Sequence, residues 1–364
     1  MSDEIQKSEV EADIVDVSDF LSLKLLGRDA KVRVSDAFDA AEWTGHSSLF
    51  AVSNKLGWFV AGTPAGLVAS PLKHLRERQS ISPEDGPTPL EPKRTISITG
   101  AAFFVGFAAS DSRLVVVVQA GDDWNLEIFN SEDVCKEGSG EVKPLHTFPL
   151  GKEVVFEMQP NPSEDSEIVA LLRGKKSSSS CLDIINVVSS SRVTSWGPAN
   201  VLDENATFMC LSWSVRGKQI IAGTRGGELV QFTPEGERKQ TISPPPSLPT
   251  DRAVVSVLWL ENTVFHVVYG NLVDPSDPDH DYEVYNIVFD SKAKTASYIK
   301  FTDPAPPYGV TSRFSCRHYV RLVGWEPTKH LVFVADGPST DVGIVGCLNP
   351  SEASGKPTPW ATLE

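Results

Sequence analysis

The sequence predicts an all-β protein, and within that class a β-propeller. Three observations carry this. Apolar runs of four to eight residues, bounded by Gly, Asn, Asp, Ser or Pro, recur along nearly the whole chain. These runs group into units of three or four strands that begin roughly 45–60 residues apart, the period of propeller blades. Many runs are apolar on both faces, as expected for a small sheet stacked between two others. A β-sandwich would need alternating inward and outward patterning with tight hairpins, and the repeat fits blades better.

The units can be followed in order. The first runs from Ser48–Ser53 through the turn Asn54–Gly57 to Trp58–Ala61, then past Gly62 and Gly66 to Leu67–Ala69. Later units start near Ile98 and Val154, with good strands at Leu114–Gln119 and Ile168–Leu172. Another opens at Phe208–Ser214 and continues through Arg216–Lys218 to Gln219–Gly223 and Glu228–Phe232. The last two start near Val254, with a strand at Val264–Tyr269, and near His318. Only Pro71–Arg78 supports a helix, of one or two turns. Trp58, Trp213 and Trp259 fall at blade-packing positions.

Three stretches read as surface loops: the Pro-rich Glu77–Arg94, the basic and serine-rich Lys175–Ser180, and the acidic Asp274–Tyr282. Residues 1–16 read as a flexible acidic tail, leaving 17–364 as the propeller. Six units are countable, and the chain stops at Glu364, just after Thr358–Ala361. The expectation is therefore a propeller truncated at its C-terminus, with an exposed strand edge.

Composition narrows the function. The 364 residues are 40% hydrophobic and 22% charged, with a formal net charge of −15 and a pI near 5.0. That charge opposes direct binding to a nucleic-acid backbone. No apolar run approaches the roughly 18–20 residues of a membrane span, and the acidic N-terminus has no apolar signal region. Cys135, Cys181, Cys210, Cys316 and Cys347 are far apart, which suits reduced thiols. Without a signal region, the sequon Asn205–Thr207 is read as a chance match.

Enzyme signatures are missing: the sequence has no phosphate loop of the GxxxxGK type, no HExxH and no CxxC. His46, His74, His146, His266, His280, His318 and His330 are scattered, none at ligand spacing from another His or Cys. Asp274, Asp277, Asp279, His280 and Asp281 are the densest acidic group. They read as a solvated loop, because a calcium loop would have Gly where this one has Pro. Lys73, Arg76 and Arg78 read as a solvated helix face, and Lys175, Lys176 and Ser177–Ser180 as a hairpin. No cofactor, metal or catalytic residue is expected.

One ordered set of segments adds a resemblance. Cys210–Phe232, continuing to Pro244–Pro246, resembles a blade of the N-terminal propeller of the FG-type nucleoporin from the cytoplasmic face of the nuclear pore. Leu49–Gly62, Val254–Gly270 and Tyr308–Ala335, which continues to Ser339–Cys347, resemble the same family in the same order. The likeness covers roughly residues 20–362 and is closest to fungal members. It implies a seven-bladed docking platform, localised at the cytoplasmic face of the pore among other nucleoporins. There it would hold a DEAD-box RNA helicase, competing with RNA for the helicase's N-terminal RecA-like domain during messenger RNA export. By position, it implies helicase contacts at Arg313, Arg317, His318 and Arg321. Guanidinium forks suit an acidic surface, whereas pairing with Glu326 or strand capping would be their structural use. FG repeats, which relatives carry further along, are absent from this chain. Two rival readings are a WD-type adaptor in another assembly and a propeller hydrolase or lyase with catalytic groups in its channel.

Overall fold

Strand periodicity translates directly into sheets. A computed structural model describes residues 32–33, 48–63, 65–77, 88–89, 92–175, 179–196, 207–261, 263–271, 283–301, 320–326, 331–336, 343–348 and 358–363. The first strand is β1 (Val32–Arg33). Blade I joins β2 (Phe50–Ser53), β3 (Trp58–Thr63), β4 (Gly66–Pro71) and β6 (Arg94–Ile96). Between β4 and β6, the short β5 (Thr88–Pro89) pairs in parallel with β1. Blade II comprises β7 (Ala101–Ala108), β8 (Arg113–Ala120), β9 (Asp123–Asn130) and β10 (His146–Gly151), and blade III β11 (Val155–Pro160), β12 (Ile168–Lys175), β13 (Ser179–Asn186) and β14 (Ser191–Trp196). Blade IV holds β15 (Phe208–Trp213), β16 (Ile220–Thr224), β17 (Leu229–Phe232) and β18 (Arg238–Ile242). Blade V holds β19 (Arg252–Glu261), β20 (Val264–Asn271), β21 (Glu283–Asp290) and β22 (Thr295–Phe301). Blade VI holds β23 (Val320–Glu326), β24 (Leu331–Asp336), β25 (Gly343–Leu348) and β26 (Thr358–Leu363).

Within each blade, every strand pairs antiparallel with its neighbour in the sheet. The first strands of successive blades, from β2 to β23, touch in sequence and form the inner wall of the stack. Ser48, just before β2, bridges in parallel to Phe104 on β7, so the first strands of neighbouring blades run the same way. Six four-stranded sheets among the described residues match the six units read from the sequence.

The core lies between blades rather than within one. On β8, Val116 packs toward blade I, while its neighbours Val115 and Val117 pack toward blade III. On β16, Ile220 and Ala222 face blade III and Ile221 faces blade V. Side chains of a strand alternate between its two faces, and here both faces are covered, which makes the runs continuously apolar. Trp58, Trp213 and Trp259 are all buried, as the sequence predicts. Burying each such side chain is worth roughly 1.5–3 kcal/mol.

The predicted helix is present as Leu72–Glu77; Arg78 lies outside the described residues. A second helical turn, Ser131–Val134, was not anticipated. It is too short to show a 3.6-residue period and is capped locally by the Asn130 side chain, which accepts from the Glu132 N–H at 3.0 Å. None of the described helices is long and apolar enough to cross a membrane.

Candidate functional site

Antiparallel pairing sorts the connections onto two rims. In blade V the end of β20, the start of β21 and the end of β22 share one rim. The acidic segment 272–282 leaves and re-enters on that rim, and 302–319 departs from it. Arg313, Arg317 and His318 lie outside the described residues, as do Asp274, Asp277, Asp279, His280 and Asp281. Arg321 is the second residue of β23, in register with Ala335 on β24, and Glu326 ends the same strand opposite Leu331. A strand rises about 3.3 Å per residue, so Arg321 and Glu326 sit at opposite ends of β23.

The polar groups inside the described blades join strands within a blade and, at the seams, one blade to the next. Asp183, fully buried on β13, accepts from Arg173 Nε at 2.5 Å and lies 3.4 Å from Arg192 Nη2. Arg173 also pairs with Glu153, and the Arg192 guanidinium lies 5.5 Å from the centre of the Phe148 ring on blade II. Glu127, buried on β9, accepts from the Thr99 N–H at 3.0 Å and from the Thr99 hydroxyl. Trp213 Nε1 donates to the Gln159 carbonyl at 3.0 Å, while Gln159 Nε2 donates to the Leu211 carbonyl at 2.7 Å. These residues were not singled out from sequence. Their one signal is a charge inside an apolar run, as in Leu182–Ile185.

Burial shifts the acidity of Cys135, His266 and Tyr269 strongly, raising the Tyr269 phenol. Burial pushes the Cys135 thiol up to about 12, helped by the nearby Asp111 carboxylate, so it is a poor nucleophile at neutral pH. Burial pushes His266, in register with Asn286 on β21, down to about 3. An unfolded histidine titrates near 6.5, so the native state binds fewer protons between those values. Stability is then fully present above about pH 6.5 and falls as pH drops toward 3, by up to about 1.4 kcal/mol per pH unit. Urea unfolding at pH 7 and pH 4.5 should show a smaller pH-dependent loss for His266→Gln than for the unmodified chain. Identical losses would mean that His266 is not held neutral.

Among the described residues, no group of three or more His, Cys, Asp or Glu is placed to hold a metal ion. The polar groups described above are paired within blade III or across the seams between blades.

Comparison with known proteins agrees with this architecture. The NUP159/214 beta propeller family matches residues 44–350. Nucleoporin nup146 of Schizosaccharomyces pombe is 27% identical over 351 residues, covering 94% of this chain and 24% of that protein. Nucleoporin NUP159 of Chaetomium thermophilum is 25% identical, covering 94% and 22%, and human Nup214 is 25% identical, covering 86% and 15%. The chain thus spans about a quarter or less of these curated relatives. Two solved structures share the fold at 18% identity. One is S. cerevisiae Dbp5 bound to Nup159, Gle1, IP6 and ADP, with a TM-score of 0.54 over 89% of this chain and 80% of that one. The other, the N-terminal domain of Nup159, has a TM-score of 0.51 over 90% and 74%. With a six-sheet radial stack and a family match across most of its length, the chain belongs to the NUP159/214 β-propeller family.

Proposed function

We propose that this propeller is a non-catalytic docking platform at the cytoplasmic face of the nuclear pore complex. It binds the N-terminal RecA-like domain of a DEAD-box RNA helicase and limits that domain's engagement with RNA during messenger RNA export. The observation that carries this reading is the family match over residues 44–350. A fold relative, Nup159, is bound to Dbp5 in a solved structure, which supports the choice of partner. The proposed contacts are Arg313, Arg317, His318 and Arg321, the first three between β22 and β23 and the last on β23. The guanidinium groups would form two-point hydrogen bonds with carboxylates on the helicase.

The test is a binding titration of the chain against the helicase domain at low and moderate salt, with Arg313→Glu and Arg317→Glu variants. Reversing a charge at a close pair costs roughly 2–5 kcal/mol, so binding should weaken at least about tenfold and lose its salt dependence. Tight binding that ignores both reversals would keep the platform and reject these contacts. A folded chain with no helicase binding would overturn the docking role and favour an adaptor in another assembly.

A further inference from the structure

Blades I and II depart from blades III, IV and V on one rim. In blades III, IV and V the third and fourth strands are joined by the tight turns 187–190, 233–237 and 291–294. In blades I and II the same connection expands to 72–93 and 131–145, and each opens with a short helix. Long connections in a compact domain are usually either functional or linker segments. These two are tied together: Arg94 donates to the carbonyls of Lys136 and Gly138 at 3.3 Å and of Gly140 at 3.0 Å.

Between them lies an open groove of about 510 Å³. Leu56, Trp58, Pro71 and Leu72 supply its apolar surface, with Lys73 on the blade I wall and Glu137 on the blade II wall. The β7–β8 turn is tied to residues of the β2–β3 turn that leads into the groove. Ala109, Ser110 and Asp111 all have positive φ, between 51° and 61°. Ser53 Oγ donates to Asp111 at 2.6 Å, and Lys55 Nζ donates to the Ser110 carbonyl at 3.1 Å. Consecutive left-handed residues cost about 1–2 kcal/mol each and persist only where such contacts enforce them.

The topology also brings a candidate occupant here. β1 pairs with β5, and β5 belongs to the same 72–93 connection that starts the groove wall. Residues 1–31 precede β1. They can reach roughly 3.3 Å per residue, several times the roughly 15–20 Å width of a four-stranded blade. Residues 1–20 hold seven carboxylates against the single Lys7, interleaved with Val10, Ile14, Val15 and Val17. Lys73 and Lys93 near that wall are exposed. We propose that the acidic segment 1–20 docks in this groove, with its aliphatic side chains on Leu56 and Leu72 and its carboxylates against Lys73. It would act as an intramolecular occupant that competing acidic, aliphatic peptides must displace. This does not depend on the helicase reading.

The probe is a fluorescent synthetic peptide of residues 1–20, titrated against the full chain by anisotropy. The acceptor is the full chain with Glu9, Glu11, Asp13 and Asp16 changed to their amides, which leaves its own segment only Asp3, Glu4 and Asp19 and so weakens its competition for the groove. Peptide binding to that acceptor should be about tenfold tighter than to the unmodified chain, and should weaken about tenfold between 0.05 M and 0.5 M salt. Adding Lys73→Glu, an exposed position that leaves folding intact, should weaken it about tenfold, as should Leu72→Asp. Lys152→Glu, in the connection between blades II and III, should change nothing. No binding, binding insensitive to Lys73→Glu, or equal binding of a scrambled peptide of the same composition would overturn the proposal.

Discussion

Asp183→Ala is expected to destabilise the propeller by about 3–5 kcal/mol, the usual cost of stripping one partner from a buried ion pair. Asp183 is fully buried, and the Arg173 side chain beside it is only 14% exposed. Without the carboxylate, that guanidinium keeps only Glu153, whose side chain is half-exposed and screened. Arg192 would lose a partner too, and with it a restraint on its stacking over Phe148 of the adjacent blade. The second arm is a double replacement, Arg173→Met with Asp183→Leu. It removes both charges at once and should recover most of the loss, because the cost comes from an unpaired buried charge. Chemical unfolding measures both. A loss under about 1 kcal/mol for Asp183→Ala would show that the network is not a buried clamp.

Gly217→Ala is expected to cost about 2–4 kcal/mol, more than any ordinary surface turn substitution. Two separate penalties meet there. Gly217 has φ of +65°, where a Cβ carries the left-handed cost of roughly 1–2 kcal/mol. A Cβ would also fall 1.9 Å from Asn161 Oδ1, inside any real contact distance. Asn161 cannot simply swing away. Its Nδ2 donates to the Gly217 carbonyl at 2.7 Å, and its Oδ1 accepts from the Ser163 N–H at 2.9 Å. Combining Gly217→Ala with Asn161→Ala should therefore be less than additive, since the second change removes the clash and leaves the backbone penalty. Strict additivity of the two losses would mean that the side chains do not oppose each other.

Much of the fold was legible in the residues. The run Phe208–Trp213, the turn at Gly217 and the strand Ile220–Thr224 declare themselves through composition and spacing, and each lies where the pattern puts it. The six units, the buried tryptophans and the short helix after Pro71 were read in the same way. The helix at Ser131 was not, because one turn fixed by the Asn130 cap leaves no periodic trace. The proposed helicase contacts were named by resemblance at Arg313, Arg317, His318 and Arg321. Of these, only Arg321 falls among the described residues, as a paired position on β23.

Strand identity, turn position and the acidic balance of this chain depend on residues a few places apart, so a linear reading recovers them. Which polar side chain crosses which blade boundary depends on how the sheets stack. Ser53 meets Asp111 across 58 residues, Asn161 meets Gly217 across 56, and Arg94 reaches Gly140 across 46. No local periodicity encodes those pairs. They form because close packing of apolar blade faces sets one rotation between neighbouring sheets, and buried polar groups must then find partners at the seams.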